Sequence, residues 1–231
     1  MLAILSSEIA QDFSKKTGLN VLSLQPFEKL DMPVASHADM LISIINDHIF
    51  CYREYYEKNK RLFDKISKDY TIVKVDKICQ KEYPKDVGLN CLVIGNLLIS
   101  KNEATAKEIL DFAHENDYKI ISVNQGYTAC STLVINDSSA ITTDKGIYDV
   151  LIQEGKRALL VSTNGIKLNG YSCGFIGGAG VTIDNTAYFF GDIKLHPDCS
   201  KMLEFLSREN CKIEAILPGG VCDFGGVKLI N

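Results

Sequence analysis

Asn90-Cys-Leu-Val-Ile-Gly-Asn-Leu-Leu-Ile-Ser100, continued as far as Val123, is the stretch that decides the fold. Cys91–Ile94 and Leu97–Ser100 are short apolar runs, and Gly95-Asn96 between them is a tight hairpin pair. The spacing predicts a helix opening at Ser100, with Glu103 three residues on completing a capping box. Ala106, Ile109, Leu110 and Ala113 then fall at i, i+3, i+4 and i+7, one helical face. Asn116-Asp117 ends that helix, and Tyr118–Val123 reads as a third strand. The unit is strand, strand, helix, strand.

The same unit recurs along the chain, and a repeated unit fixes architecture before any motif does. One copy runs over 128–163, from Cys130-Ser-Thr-Leu-Val-Ile135 through Ala140–Thr142 and a helix stopped at Gly155 to Ala158–Val161. Another covers 171–217, with strands at Cys173–Ile176, Thr186–Phe190 and Ile213–Ile216, and Pro197 in the first turn of its helix. An earlier one covers 37–76, with strands at His37–Ile44, His48–Phe50 and Thr71–Val75 and a helix through Leu62, Phe63 and Ile66. The stretch quoted above belongs to the copy over 88–124. A fifth begins at Cys222 and stops at the chain end; its missing parts are at the start, as Leu2–Leu5, a helix from Ser7 to Lys16 closed by Gly18, and Asn20–Leu24. The expected fold is therefore α/β: a ring of five ββαβ units in one domain over 1–231, closed by pairing the first and last strands. Closure removes two sheet edges that would otherwise invite aggregation.

Composition narrows the function. Apolar residues make up 46% and the net charge is −4, which disfavours nucleic acid as partner, since phosphate binding needs clustered Lys and Arg. The Lys-rich stretch Lys58–Lys68 is interleaved with Glu57 and Asp64 and reads as a solvated helix face. No run of 18 apolar residues and no signal-peptide pattern is found, so a cytoplasmic protein without a membrane partner is expected. The eight cysteines sit in apolar runs without a Cys-x-x-Cys and read as reduced, buried thiols. Four scattered histidines give no metal site, and no cofactor is expected. Gly177-Gly-Ala-Gly180 and Gly219-Gly220 lack the Lys-Ser/Thr of a phosphate loop, and close backbone approach at the ring centre suits them better.

The first residues of the units are His37, Cys91, Cys130, Cys173 and Cys222. In a ring, such equivalent positions converge near the pseudo-axis, so His37, Asp39, Cys130 and Asp223 meet there although distant in sequence. A thiol, an imidazole and carboxylates are the parts of a cysteine nucleophile with its proton carrier. Because four of the five openers are cysteine, Cys130 also fits as a small apolar residue that the repeat favours.

Five ββαβ units in a ring resemble the pentein fold of the guanidino-group-modifying enzymes: arginine and agmatine deiminases, dimethylarginine hydrolases and amidinotransferases. Those enzymes carry a His-x-Asp before an apolar strand, and His37-Ala-Asp39-Met-Leu-Ile-Ser-Ile resembles it. Two units later they place a cysteine in a Gly-rich lead-in followed by Cys-x-Thr; Asn124-Gln-Gly-Tyr-Thr-Ala-Cys130-Ser-Thr132 is similar. Their Glu-Gly-Gly segment is resembled by Leu217-Pro-Gly-Gly-Val-Cys-Asp223-Phe-Gly-Gly226, displaced to the C-terminus by circular permutation. The resemblance implies a cysteine-dependent hydrolase or transferase acting on a guanidine- or amidine-like C–N bond of a small, cationic substrate. It implies Cys130, His37 and Asp39 as catalytic residues, and Asp223, Gln125, Thr132 and Glu28 as substrate-binding ones. Pro218 stands where the family has Glu, and Phe175-Ile-Gly-Gly-Ala-Gly180 lacks a further expected Asp; Glu28 or Asp31 is available to compensate. With that clamp thinned, a second reading is a non-catalytic binding protein like the ribosome anti-association factors, which resemble the same fold. Thiol-based sensing is a third.

Overall fold

The computed structural model describes residues 1–230. In chain order its elements are β1 (Leu2–Ser6), α1 (Ala10–Thr17), β2 (Asn20–Leu24), α2 (Ala38–Leu41), β3 (Ile42–Ile45), β4 (His48–Tyr52), α3 (Arg53–Lys58), α4 (Lys60–Phe63), β5 (Thr71–Val75), β6 (Leu92–Ile94), β7 (Leu97–Ser100), α5 (Lys107–Glu115), β8 (Lys119–Ser122), β9 (Thr132–Asn136), β10 (Ser139–Thr142), α6 (Lys145–Gln153), β11 (Arg157–Leu160), β12 (Gly180–Ile183), β13 (Thr186–Phe189), α7 (Cys199–Arg208), β14 (Lys212–Ala215) and β15 (Val227–Ile230).

The strands form five three-stranded sheets: β15-β1-β2, β3-β4-β5, β6-β7-β8, β9-β10-β11 and β12-β13-β14. In each, the middle strand pairs antiparallel with the first and parallel with the third. A parallel pair needs a crossover, and helices supply it. The two chain ends share a sheet, with Leu2 opposite Ile230 and Leu5 opposite Val227. The first strands of all five sheets line one axial cavity of ≈ 370 Å³, with Ile44, Val93, Leu133, Val181 and Leu229 in its wall. This is the five-unit pentein ring.

The helices cover the sheets with the apolar stripes their spacing predicts. Ile109 and Ala113 of α5 are fully buried, as are Ile147 and Leu151 of α6 and Met202 and Leu206 of α7. A buried side chain of Ile or Leu size contributes roughly 1.5–3 kcal/mol. Gly18 ends α1 in the left-handed conformation, as read from the sequence.

Several boundaries differ from the sequence reading. Ser100 does not open a helix: it ends β7, paired with Ser122, and its hydroxyl bonds Asn102 at 2.9 Å. Residues 101–105 form a turn in which Glu103 pairs with Lys101, and α5 starts only after Ala106, whose N–H is given to Gly88. The strand expected at His37 starts at Ile42. Ala38-Asp-Met-Leu41 coil into one helical turn on the His37 carbonyl, which accepts from Met40 and Leu41 N–H. Ala, Met and Leu favour a helix, whereas the β-branched Ile42, Ile44 and Ile45 carry the strand. The strand expected at Cys173–Ile176 lies at Gly180–Ile183, because the segment before it is drawn into the hub. The helix expected through Ile66 breaks at Asn59 into α3 and α4 and ends at Phe63, while α1 starts three residues later than Ser7. Pro197 precedes α7 rather than lying in its first turn.

All eight cysteines are free thiols, but only Cys51 lies within a strand. His48 is half-buried, its ring centroid 4.4 Å from that of Phe112. Among the described residues no helix is long and apolar enough to cross a membrane.

Candidate active site

Cys130, His37, Asp39 and Asp223 come from three different units and meet beside the axial cavity, which Asp39 lines. All four are buried, none more than 5% exposed. His37 arrives at the foot of α2, Cys130 just before β9, and Asp223 on the segment before β15. Backbone bonds lock these segments together. Asp39 N–H is given to Gly225 O at 3.1 Å, Gly178 N–H to Cys130 O at 3.1 Å, and Phe224 and Gly226 N–H both to Gly178 O.

Two glycines make the close approach possible. A Cβ at Gly178 would collide with the Asp223 carboxylate, and one at Gly225, whose φ is +79°, would collide with His37. Gly177-Gly178 therefore serve the close backbone approach read from the sequence. Gly219 and Gly220 do not: nothing stands within 4 Å of a Cβ at either. The carboxylate-Gly-Gly segment that enters the hub is Asp223-Phe-Gly225-Gly226, and Pro218 is exposed in the preceding loop.

Asp223 is held firmly. Its two oxygens accept Phe175 N–H and Gly225 N–H, each at 2.9 Å, and its Oδ1 lies 3.9 Å from His37 Nδ1. No N–H or O–H donor reaches either oxygen of Asp39 among the described residues, and the polar group that faces it is the Cys130 thiol. The Cys130 sulfur lies 2.9 Å from the Asn90 amide nitrogen.

The electrostatics follow from burial without countercharge. Burial raises the Asp39 carboxyl, and the neighbouring Asp223 charge raises it further; Cys130 and Lys228 act in the opposite direction. Burial also raises Asp223, against the pull of its two backbone N–H donors. Burial lowers His37 to about 4, leaving a neutral imidazole at pH 7. The Cys130 thiol is pushed well up, first by burial and then by Asp39 and Asp223. A cysteine nucleophile calls for the reverse, a lowered thiol. The difference has a physical cause: two carboxylates face the sulfur and no Lys or Arg ion-pairs with them among the described residues.

The other residues singled out in the sequence are held elsewhere. Gln125 is fixed between Asp144, at the start of α6, and Tyr127 N–H. Thr132 bonds Thr142 across the β9–β10 pair at 3.1 Å and lines the axial cavity. Glu28 is exposed and pairs with Lys58; Asp31, in the loop before His37, accepts from Tyr171. His196 is a buried capping histidine, its Nδ1 accepting Asp198 N–H. Asn90 went unremarked in the sequence; a polar residue at the edge of an otherwise apolar run was the available signal. Among the described residues no group of three or more His, Cys, Asp or Glu side chains is arranged to hold a metal ion.

Comparison with known proteins agrees with this architecture. The family described as "Family of unknown function (DUF6873)" matches residues 4–228. No curated protein matches the chain. Among solved structures, DDAH from Pseudomonas aeruginosa, a cysteine-to-serine mutant complexed with citrulline, superposes with a TM-score of 0.57 at 8% identity, covering 93% of this chain and 91% of that one. Agmatine deiminase from C. jejuni gives 0.57 at 14% identity, covering 93% and 86%. An amidinotransferase from the saxitoxin pathway of Microseira wollei gives 0.55 at 11% identity, covering 92% and 72%. At such identities the likeness is one of fold.

Proposed function

The chain belongs to the family of unknown function DUF6873, and for it we propose a cysteine-dependent hydrolase or transferase acting on a cationic guanidine- or amidine-type carbon. The observation that carries this reading is the hub itself: thiol, imidazole and two carboxylates, all buried, with the carboxylates lacking a cationic partner. A planar cation entering there supplies the missing charge. Its N–H groups satisfy the open Asp39 oxygens, and its positive charge favours the ionised forms of Asp39, Asp223 and Cys130 together. The thiol is then activated by the substrate it attacks, and is protonated in its absence.

In the proposed sequence the Cys130 sulfur bonds the electrophilic carbon as its proton passes to the neutral His37 imidazole. The C–N bond to the departing amine breaks with a proton delivered by His37. The resulting neutral His37 then takes a proton from water, or from an acceptor amine, as that nucleophile displaces the thiol. Asp223, 3.9 Å away, steadies the imidazolium each time it forms, and in the second step that imidazolium returns its proton to the departing Cys130 thiolate. The neighbours of like fold include hydrolases and amidinotransferases, which supports the class without choosing between its branches.

The test is turnover of a panel of alkylguanidines and amidines, read as release of ammonia or amine and by mass spectrometry of trapped adducts. The expected result is turnover or a covalent adduct on Cys130 with at least one compound, lost by at least ~10³-fold in Cys130→Ser. Reversible binding with neither turnover nor adduct overturns the enzymatic reading in favour of a binding protein, the reading that the lack of a hub carboxylate in the Gly177-Gly178 segment favours.

A further inference from the structure

Asn90 is a buried polar side chain beside the hub to which the proposed chemistry assigns no part. Asn90 is 1% exposed and sits between the units that supply Asp39 and Cys130. Its carboxamide is fully used. Oδ1 accepts the N–H groups of Ala129 at 2.8 Å and Cys130 at 3.4 Å. Nδ2 faces Cys130 Sγ at 2.9 Å and Asp39 O at 3.0 Å. The orientation is fixed by these neighbours: two backbone donors demand the oxygen on one side, so the two amide hydrogens turn to the sulfur and to the carbonyl. The backbone is tied as well, with Asn90 N–H given to Val87 O and Asn90 O accepting from Thr128.

This arrangement does two things at once. It fixes the loop 128–130 against α2, so the sulfur keeps its place relative to Asp39. It also aims a neutral N–H donor at a sulfur otherwise surrounded by carboxylates. A donor favours the thiolate over the thiol without adding a charge that would repel a cationic substrate; a Lys in this place would do the first and defeat the second. Resting on the reading of Cys130 as the nucleophile, we propose that Asn90 is a positioning residue for the reaction: it aims the Cys130 sulfur and stabilises the thiolate that forms when a cation fills the hub.

Two variants separate aiming from mere packing. Asn90→Asp keeps Oδ1 for the Ala129 and Cys130 N–H groups but replaces the donor with a third carboxylate. Asn90→Ala removes both. The measurement is the rate of Cys130 modification by a haloacetamidine across pH 6–10, located by peptide mass spectrometry, with near-ultraviolet circular dichroism as the control for folding. In the wild-type protein Cys130 is expected to react faster than the other seven thiols. Both variants are expected to move the midpoint of the pH–rate curve up by about one unit or more, Asn90→Asp further than Asn90→Ala, and to slow modification at pH 7 about tenfold or more. A wild-type Cys130 that reacts no faster than the other thiols overturns the nucleophile reading and this proposal with it. A fast wild-type Cys130 whose midpoint stays put in folded Asn90→Asp overturns the role of Asn90 alone. A rate lowered by the same factor on both sides of an unmoved midpoint marks packing only and also overturns it.

Discussion

Cys91 and Cys130 occupy matching places in neighbouring units, each just before the first strand of its sheet, and each is buried. Each sulfur has one polar partner at 2.9 Å, Ser43 Oγ for Cys91 and Asn90 Nδ2 for Cys130. Burial raises both thiols. The difference lies in what stands around them. Nothing acidic raises Cys91 further, and Lys228 pulls it down; Cys130 faces Asp39 and Asp223. The repeat brings a small thiol to the hub in both cases, and chemistry is added only where other units contribute carboxylates and an imidazole. Of the two buried thiols, Cys130 is the one whose protonation a cation in the hub would switch on the proposed reading.

The largest expected effect tests that contrast directly. Iodoacetamide and a haloacetamidine transfer similar alkyl groups, but only the second carries a charge that suits the hub. We expect the cationic reagent to label Cys130 at least ~10²-fold faster than the neutral one, as desolvated charge pairing permits. Cys91 should stay unlabelled by both in the folded protein. Equal rates at Cys130, or labelling of Cys91 alongside it, would remove the distinction between the two thiols.

A smaller effect separates the two carboxylates. Asp39 is buried with both oxygens unpartnered, whereas each Asp223 oxygen accepts a backbone N–H. Asp39→Asn removes an uncompensated charge and should stabilise the free protein by ~1–2 kcal/mol at pH 8 while cutting activity ~10²-fold. The pH dependence has a definite sign. Asp39 is raised in the folded state, so that state holds its proton more tightly than the unfolded one. The burden on stability is absent below the unfolded value near 4, grows as pH rises from there to the folded one, and is constant above it. The Asp39→Asn gain should therefore widen from pH 5 to pH 8, as read by denaturant midpoints. Asp223→Asn should bring no such gain, since its amide group must face one of two backbone donors. A gain that shrinks with rising pH would contradict the assignment.

How much of this was legible in the sequence follows from where each signal resides. The ring was legible because its unit is written in local periodicity and its closure in complementary fragments at the two ends. The gathering of His37, Asp39, Cys130 and Asp223 followed from the ring. The single turn at Ala38–Leu41 was not legible, because Ala38, Met40 and Leu41 around Asp39, before a β-branched run, fit a strand or a helix equally. The place of Gly177-Gly178 as the gap that admits Asp223, and the Asn90 carboxamide, arise from contacts between units, which no window along one chain contains. The charge state of Cys130 is likewise a sum over three units. Its direction is upward because the sulfur is buried and faces two carboxylates.

The smallest effect belongs to the other thiol. Ser43→Ala deletes the one hydroxyl facing Cys91 and touches no part of the proposed machinery. Cys91 then keeps its packing and loses a weak S–H partner, a change of about 0.5–1 kcal/mol in stability. Turnover, and the haloacetamidine rate at Cys130, should stay within about twofold. Asn90→Ala also deletes the one partner at 2.9 Å from a buried hub sulfur, so the pair of variants matches one loss against the other. If the two lower activity alike, the hub responds to any loosening and the polarity around each sulfur is irrelevant. If only the Asn90 change does so, what distinguishes Cys130 is the donor and the carboxylates gathered around it, not its place in the repeat.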